Sequence, residues 1–199
     1  PTGSRGARTP RFIYGYLWRI RDGGAYSMEL MVDTMTSPIG VVRIISDGES
    51  LRALDFEDYD SRMRQLLQRY YGEVSFCDQK DPAGATARVK AYFDGDIDAI
   101  TEIKVAMTGS AFQQQVWQML RNIPAGNTWS YGQLAKAIGK PSASRAVGLA
   151  NGNNPIAIVV PCHRVIGADG SLTGYGGGMA RKQWLLEHEG ARSQRQLSF

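Results

Sequence analysis

Near the far end of the chain, the segment Pro161-Cys162-His163-Arg164-Val165 sets a thiol next to an imidazole. Cysteine attacks as the thiolate, and a free thiol with a pKa of about 8.5 is mostly protonated at neutral pH. A nucleophilic cysteine therefore needs a base, a cation or a helix amino end close by, and His163 is the adjacent base. In an extended segment neighbouring side chains point to opposite sides, so contact within this pair requires a turn or a bridging water. A third group must orient the imidazole. The predicted helix from Met179 to Glu189, stopped by Gly190, offers Glu187 and Glu189, and spacing does not choose between them.

Several elements must position these groups. The apolar, β-branched run Ile156 to Val160 predicts a buried strand that delivers Cys162 after a turn at Asn154-Pro155. Upstream, Phe112, Val116, Met119, Leu120 and Ile123 make one helical stripe, closed by Pro124 and Gly126. Ser130-Tyr131-Gly132-Gln133 has the form of a capping box, opening a helix that runs through Leu134 and Ile138 to Gly139. Pro141 and Ser142 start another, which gives a helix-turn-helix pattern. Over Ala143 to Asn151, a helical wheel gathers Ala143, Ala146, Val147 and Ala150 as the buried stripe and leaves Ser144, Arg145 and Gly148 opposite. Small neighbours let the helix backbone lie close to a nucleic-acid groove while Arg145 projects from it. The candidates for DNA contact are Arg145, Tyr131, Ser144, Gly148, Ala143 and Asn151.

The first half of the chain reads differently. Met31 to Thr36, Val41 to Ile45 and Leu51 to Phe56 are strand-like runs with turns between them, a small antiparallel meander. Met63, Leu66, Leu67 and Tyr70, then Val89, Tyr92 and Phe93, mark two helices. Residues 1–27 show no convincing period and read as a flexible basic extension or a remnant of cloning. The expected architecture is an α/β N-terminal domain at 28–108, built on a small antiparallel sheet with helices. A mainly α C-terminal domain at 109–199 carries a winged-helix-like helix-turn-helix.

Charge divides along the same lines. Residues 1–27 carry five arginines against one aspartate, residues 28–108 nine basic and fifteen acidic side chains, and residues 109–199 nine basic and three acidic. A C-terminal half at +6 is the expected polyanion binder. Two cysteines, Cys77 and Cys162, are too few for a disulfide framework or a four-cysteine zinc site, so a reducing, cytoplasmic or nucleoid-associated setting is expected. No run of eighteen apolar residues suggests a membrane span, and neither metal nor cofactor is called for.

The motif Pro161-Cys162-His163-Arg164-Val165, preceded by the helix-turn-helix and followed by Gly174-Tyr175-Gly176-Gly177-Gly178, resembles the O6-alkylguanine-DNA alkyltransferases, the methylated-DNA–protein-cysteine S-methyltransferases. The resemblance runs from about Phe112 to Gly190 and, more weakly, back to about residue 31. It implies direct-reversal DNA repair, in which Cys162 irreversibly accepts an alkyl group from a guanine flipped out of duplex DNA. It assigns His163 and Glu189 to a water-linked relay, and Asn154 to buttressing the turn before the active-site segment. Tyr131 is assigned to crowding the target phosphate and donating toward the purine, and Arg145 to filling the vacated space from the minor groove. Val165, Tyr175, Gly176 and Gly177 correspond to the guanine pocket. The partner implied is double-stranded DNA containing O6-alkylguanine, bound by a monomer, with cooperativity along the DNA left open.

The triple glycine stands where some relatives carry a hydroxyl residue, which predicts a roomier pocket that tolerates larger adducts. Cys77 reads as structural. A non-catalytic lesion-binding or regulatory DNA module fits the charge and the helix pair equally, but such relatives lack the cysteine matching Cys162. A cysteine peptidase fits poorly, because papain-like enzymes place their histidine far away in sequence.

Overall fold

Short runs rich in Val, Ile, Met and Thr, separated by tight turns, fold the first half of the chain into a sheet. The computed structural model describes residues 11–13, 16–20 and 26–191, with side chains from residue 27 on. Strands β1 (Arg11–Ile13), β2 (Tyr16–Ile20), β3 (Tyr26–Ser37), β4 (Gly40–Ser46) and β5 (Leu51–Phe56) follow one another as an antiparallel meander. Helix α1 (Asp60–Tyr71) then carries the chain back, and β6 (Val74–Asp78) joins parallel to β3. The sheet is therefore mixed, because a helical crossover returns the chain in its original direction.

Two strands fall within residues 1–27, the stretch that the sequence places outside the fold. β1 pairs with β2, and β2 pairs with the start of β3. Strands of three and five residues are too short to show a period, which is why the sequence reads an extension there. Residues 1–10, 14–15 and 21–25 of that stretch lie outside the described residues.

Both faces of the sheet are covered. Met28, Leu30, Val32, Ile45 and Ala53 pack with Met63 and Leu67 of α1. On the other face Val42, Ile44, Leu54 and Phe56 meet Val89 and Tyr92 of α2 (Ala85–Phe93), and that core continues without a break into the second half of the chain. β5 is buried at all six positions for this reason. Its edge also supports the other domain: Leu54 N–H donates to Pro155 O at 3.0 Å, and Ala157 N–H donates to Leu54 O at 2.8 Å. The acidic domain is thus a backbone splint for the segment that leads to Cys162.

Helices α3 (Ala111–Leu120), α4 (Tyr131–Ala137) and α5 (Ser144–Gly152) form the helical core of the second half. The capping box read at Ser130 and Gln133 is present in full, and Ser110 with Gln113 makes a second one. Trp117, fully buried, donates its indole N–H to Ala150 O at 2.8 Å and ties α3 to α5. Truncating it to alanine should cost about 3–5 kcal/mol. The short parallel strands β7 (Trp129–Ser130) and β8 (Val165–Ile166) flank the helix pair, and α6 (Met179–His188) closes the domain.

Two sequence expectations are corrected here. On α5 the buried residues are Val147, Ala150 and Asn151, while Ala146 is exposed. The contacts with α3 and α4 fall on a stripe about one position later than the wheel places it. Ile156 to Val160 is no strand but a buried series of turns, with one bridge to β5 at Ile156 and with Ile158 at φ 68°. An apolar run reports burial on all sides, and its period cannot distinguish a strand from a packed coil.

Candidate active site

The turns before the nucleophile are organised by one amide. Asn154 Nδ2 donates to Val160 O at 2.8 Å and to Ile156 O at 3.3 Å, and its Oδ1 accepts from Ile156 N–H at 3.0 Å. These bonds do for a curled segment what ladder partners do for a strand. Cys162 through Arg164 then form one turn of 3-10 helix, which breaks the extended alternation that would have sent thiol and imidazole to opposite sides. Asn151, at the end of α5, donates its Nδ2 to Cys162 O at 3.3 Å and is buried. It faces the nucleophile's backbone rather than solvent, which takes it out of the surface expected to contact DNA.

Behind Cys162 sits a buried ionic cluster. His163 Nε2 is 2.9 Å from Glu189 Oε1, and Arg164 donates to both carboxylate oxygens, at 2.8 Å from Nε and 2.9 Å from Nη2. A carboxylate only accepts, so the proton of the neutral imidazole sits on Nε2 and the lone pair on Nδ1. Nδ1 is buried and makes no hydrogen bond to a protein group among the described residues. Glu187 is exposed and bonds to Gln183, which leaves Glu189 as the carboxylate in contact with the imidazole.

Electrostatics fix the resting protonation. Burial pushes the Cys162 thiol up, against a hydrogen bond from Asn154 and the positive fields of Arg62 and Lys182. Burial likewise pushes His163 down, and Glu189 opposes this only in part. Burial alone would raise the Glu189 carboxyl, but His163 and Arg164 hold it well below the usual carboxylate range. The resting pair is neutral thiol and neutral imidazole beside a fixed anion. Transfer of the thiol proton to Nδ1 then places an imidazolium against Glu189.

A second group of polar side chains is tied to Val165 and the glycine-rich segment. Lys182 is fully buried and donates Nζ to Val165 O at 2.5 Å and to Thr173 O at 2.6 Å, with its pKa lowered by burial to about 8. Thr173 Oγ1 donates to the Tyr131 hydroxyl at 3.2 Å, leaving the Tyr131 proton available. The Tyr175 hydroxyl is buried with no partner among the described residues, and burial holds its pKa well above the ordinary tyrosine value. The glycines are spoken for: a Cβ on Gly176 would meet the Arg62 guanidinium at 2.8 Å, and one on Gly177 would meet Tyr175 at 2.8 Å and Phe56 at 2.9 Å. Side chains of the first domain already occupy the space that the triple glycine suggests.

Comparison with known proteins bears on this geometry. Residues 30–107 match the family model for the 6-O-methylguanine DNA methyltransferase ribonuclease-like domain, and residues 111–191 match that for the DNA binding domain of the same family. The chain belongs to the 6-O-methylguanine DNA methyltransferase family. A methylated-DNA–protein-cysteine methyltransferase of Shigella flexneri is 45% identical over 166 residues, covering 82% of this chain and 97% of the relative. That of Mycobacterium tuberculosis strain H37Rv is 45% identical over 169 residues, covering 83% and 96%. The crystal structure of Mycobacterium tuberculosis OGT in complex with DNA is 42% identical, covers 81% of this chain and 92% of that one, and superposes with a TM-score of 0.68.

In this member of the family the helix pair presents a basic surface: Lys136, Lys140 and Arg145 are all exposed. Arg145 makes no ion pair among the described residues. Ala143, Ser144 and Gly148 are half-buried beside it, and the Tyr131 ring lies at ordinary contact distance from where a Gly148 Cβ would stand. Cys162, His163, Glu189, Asn154 and Val165 come together with Tyr175, while Arg145 stands out on the surface. Sequence reasoning missed Lys182, although its spacing to Leu185, Leu186 and Glu189 places it on the buried face of α6. It also gave no role to Arg62, which donates to Gly152 O at 2.7 Å and Asn154 O at 3.1 Å from the other domain. No local pattern announces a contact across ninety residues. Among the described residues no helix is long and apolar enough to cross a membrane, and no cluster of metal-ligating side chains occurs.

Proposed function

We propose that the protein repairs DNA by direct reversal, taking an alkyl group from guanine O6 irreversibly onto Cys162 Sγ, one lesion per molecule. The observation that carries this reading is the tautomer forced on His163: Nε2–H held on Glu189 and a buried, unpartnered Nδ1 left as the base, on the residue that follows the buried thiol of Cys162. The Cys162 proton passes to Nδ1, directly or through a water, as Sγ attacks the alkyl carbon. The S–C bond forms, the C–O6 bond breaks, and the electron pair leaves with the guanine, which Tyr131 protonates. The imidazolium is held by Glu189. The thioether has no leaving group to return, so the reaction stops after one turnover.

The target cannot be reached inside a stacked duplex, and extruding it costs a few kcal/mol. Helix α5 enters the minor groove, where Arg145 fills the space left by the flipped nucleotide and Lys136 and Lys140 meet phosphates. Val165, Tyr175, Gly176 and Gly177 wall the base. Tyr175 supports this assignment, because a buried hydroxyl without an acceptor costs about 1–3 kcal/mol, which a purine acceptor would offset. Such a protein acts on the nucleoid in the cytoplasm, as a monomer on double-stranded DNA. The non-catalytic alternative is disfavoured by the complete relay. Stoichiometry tests the reading: with excess methylated duplex, repair should stop at one lesion per protein molecule, and repeated turnover would contradict it.

A further inference from the structure

The relay carboxylate has a partner that the reaction scheme leaves unused. Tyr92, on α2 of the first domain, is fully buried, and its hydroxyl lies 2.9 Å from Glu189 Oε1. That single oxygen thus receives three donors: His163 Nε2, Tyr92 O–H and Arg164 Nη2. The Tyr92 ring is locked edge-on against Phe93, with centroids 5.3 Å apart, and against His188 at 5.1 Å. Its backbone carbonyl is held by His188 Nε2 at 2.8 Å. The hydroxyl cannot swing away without moving both domains.

We propose that Tyr92 is a positioning residue for the alkyl transfer, its hydroxyl sharing Glu189 Oε1 with His163 and moderating the charge that the imidazole meets. The proposal rests on the reading of Cys162 as the acceptor and His163 as its base. Burial and the Glu189 charge push the Tyr92 hydroxyl far above the ordinary tyrosine value, so its proton is always present and it always donates. Each donor on Oε1 draws charge away from the bond to His163. Around the imidazole, Arg164 and Lys182 also disfavour its protonation, Cys162 and Tyr175 are neutral at rest, and His188 is turned to the Tyr92 carbonyl. Removing the hydroxyl leaves Glu189 a stronger partner for imidazolium. His163 then protonates at higher pH, and the acid limb of the transfer rate moves upward.

The experiment is the pH profile of single-turnover methyl transfer from an O6-methylguanine duplex, measured for the full chain, Tyr92→Phe, Glu189→Gln and the double variant. Phenylalanine keeps the ring and its packing, and thermal unfolding checks that it does. The expected result is an acid limb raised by about half a unit to one unit in Tyr92→Phe, with no further shift when the substitution is made in Glu189→Gln. A limb unmoved in Tyr92→Phe, whatever its rate, would overturn the proposal and leave Tyr92 as core packing. So would an equal shift in the Glu189→Gln background, because Tyr92 would then act by another route. Absence of transfer by the unsubstituted protein would overturn the underlying reading as well, and is told apart because it precedes any substitution.

Discussion

Glu189→Gln tests the buried cluster most fully. The carboxylate accepts from His163, Tyr92 and Arg164, the last through both of its oxygens, and its side chain is 0% exposed while that of Arg164 is 8% exposed. Glutamine keeps one acceptor but turns an amino group toward either Arg164 or His163, and it removes the charge that compensates the guanidinium there. Breaking a buried pair by removing one partner costs about 3–5 kcal/mol. The same change removes the anion that stabilises imidazolium, which should slow methyl transfer roughly a hundredfold, within the range of general-base effects. The pH dependence has a definite sign. The Glu189 carboxyl is depressed in the folded state, so its stabilising contribution is fully present above the ordinary glutamate value of 4.5 and is lost as pH falls below it. Urea unfolding at pH 7 should therefore show the full gap between parent and variant, and the gap should narrow in acid. A variant within about 1 kcal/mol of the parent that still transfers at more than about a third of the parental rate would refute the assignment.

Three further outcomes are expected. Arg145→Ala should leave urea unfolding within about 0.5 kcal/mol, since the side chain is exposed, yet slow transfer from duplex DNA at least about tenfold by removing the group that offsets extrusion. Asn154→Ala removes three hydrogen bonds to the turns before Cys162 and should destabilise by about 2–4 kcal/mol, read by urea unfolding, with transfer impaired even where folding is intact. Gly177→Ala pushes a methyl group into Phe56 and Tyr175 and should cost about 1–3 kcal/mol in the same assay. If Gly177→Ala were neutral, the glycine-rich segment would not be held as tightly by the first domain as the structure indicates.

Elements with strong local signals were legible from sequence alone. Capping at Ser130, the α3 stripe and each strand of the meander from β3 to β5 state their structure within a dozen residues. The relay was legible in kind but not in geometry. His163 was an evident base, yet the 3-10 turn that it shares with Cys162 and the choice of Glu189 over Glu187 both depend on packing at long range. The run Ile156 to Val160 misled because burial on every side imitates a strand. Arg62 and Tyr92 stayed hidden for a related reason: each looks like a surface charge or a core filler until the other domain is placed against it, whereas Lys182 is satisfied by two carbonyls of its own half that no local pattern announces.

The central claim is that Cys162 Sγ becomes the alkyl acceptor. Intact-protein mass spectrometry with peptide mapping, after incubation with a duplex bearing one O6-methylguanine, tests it most directly. The account predicts a single methyl group in place of one hydrogen on the peptide containing Cys162, and none in Cys162→Ser. An unmodified protein that still binds the lesion, or a methyl group mapped to Cys77, would contradict it.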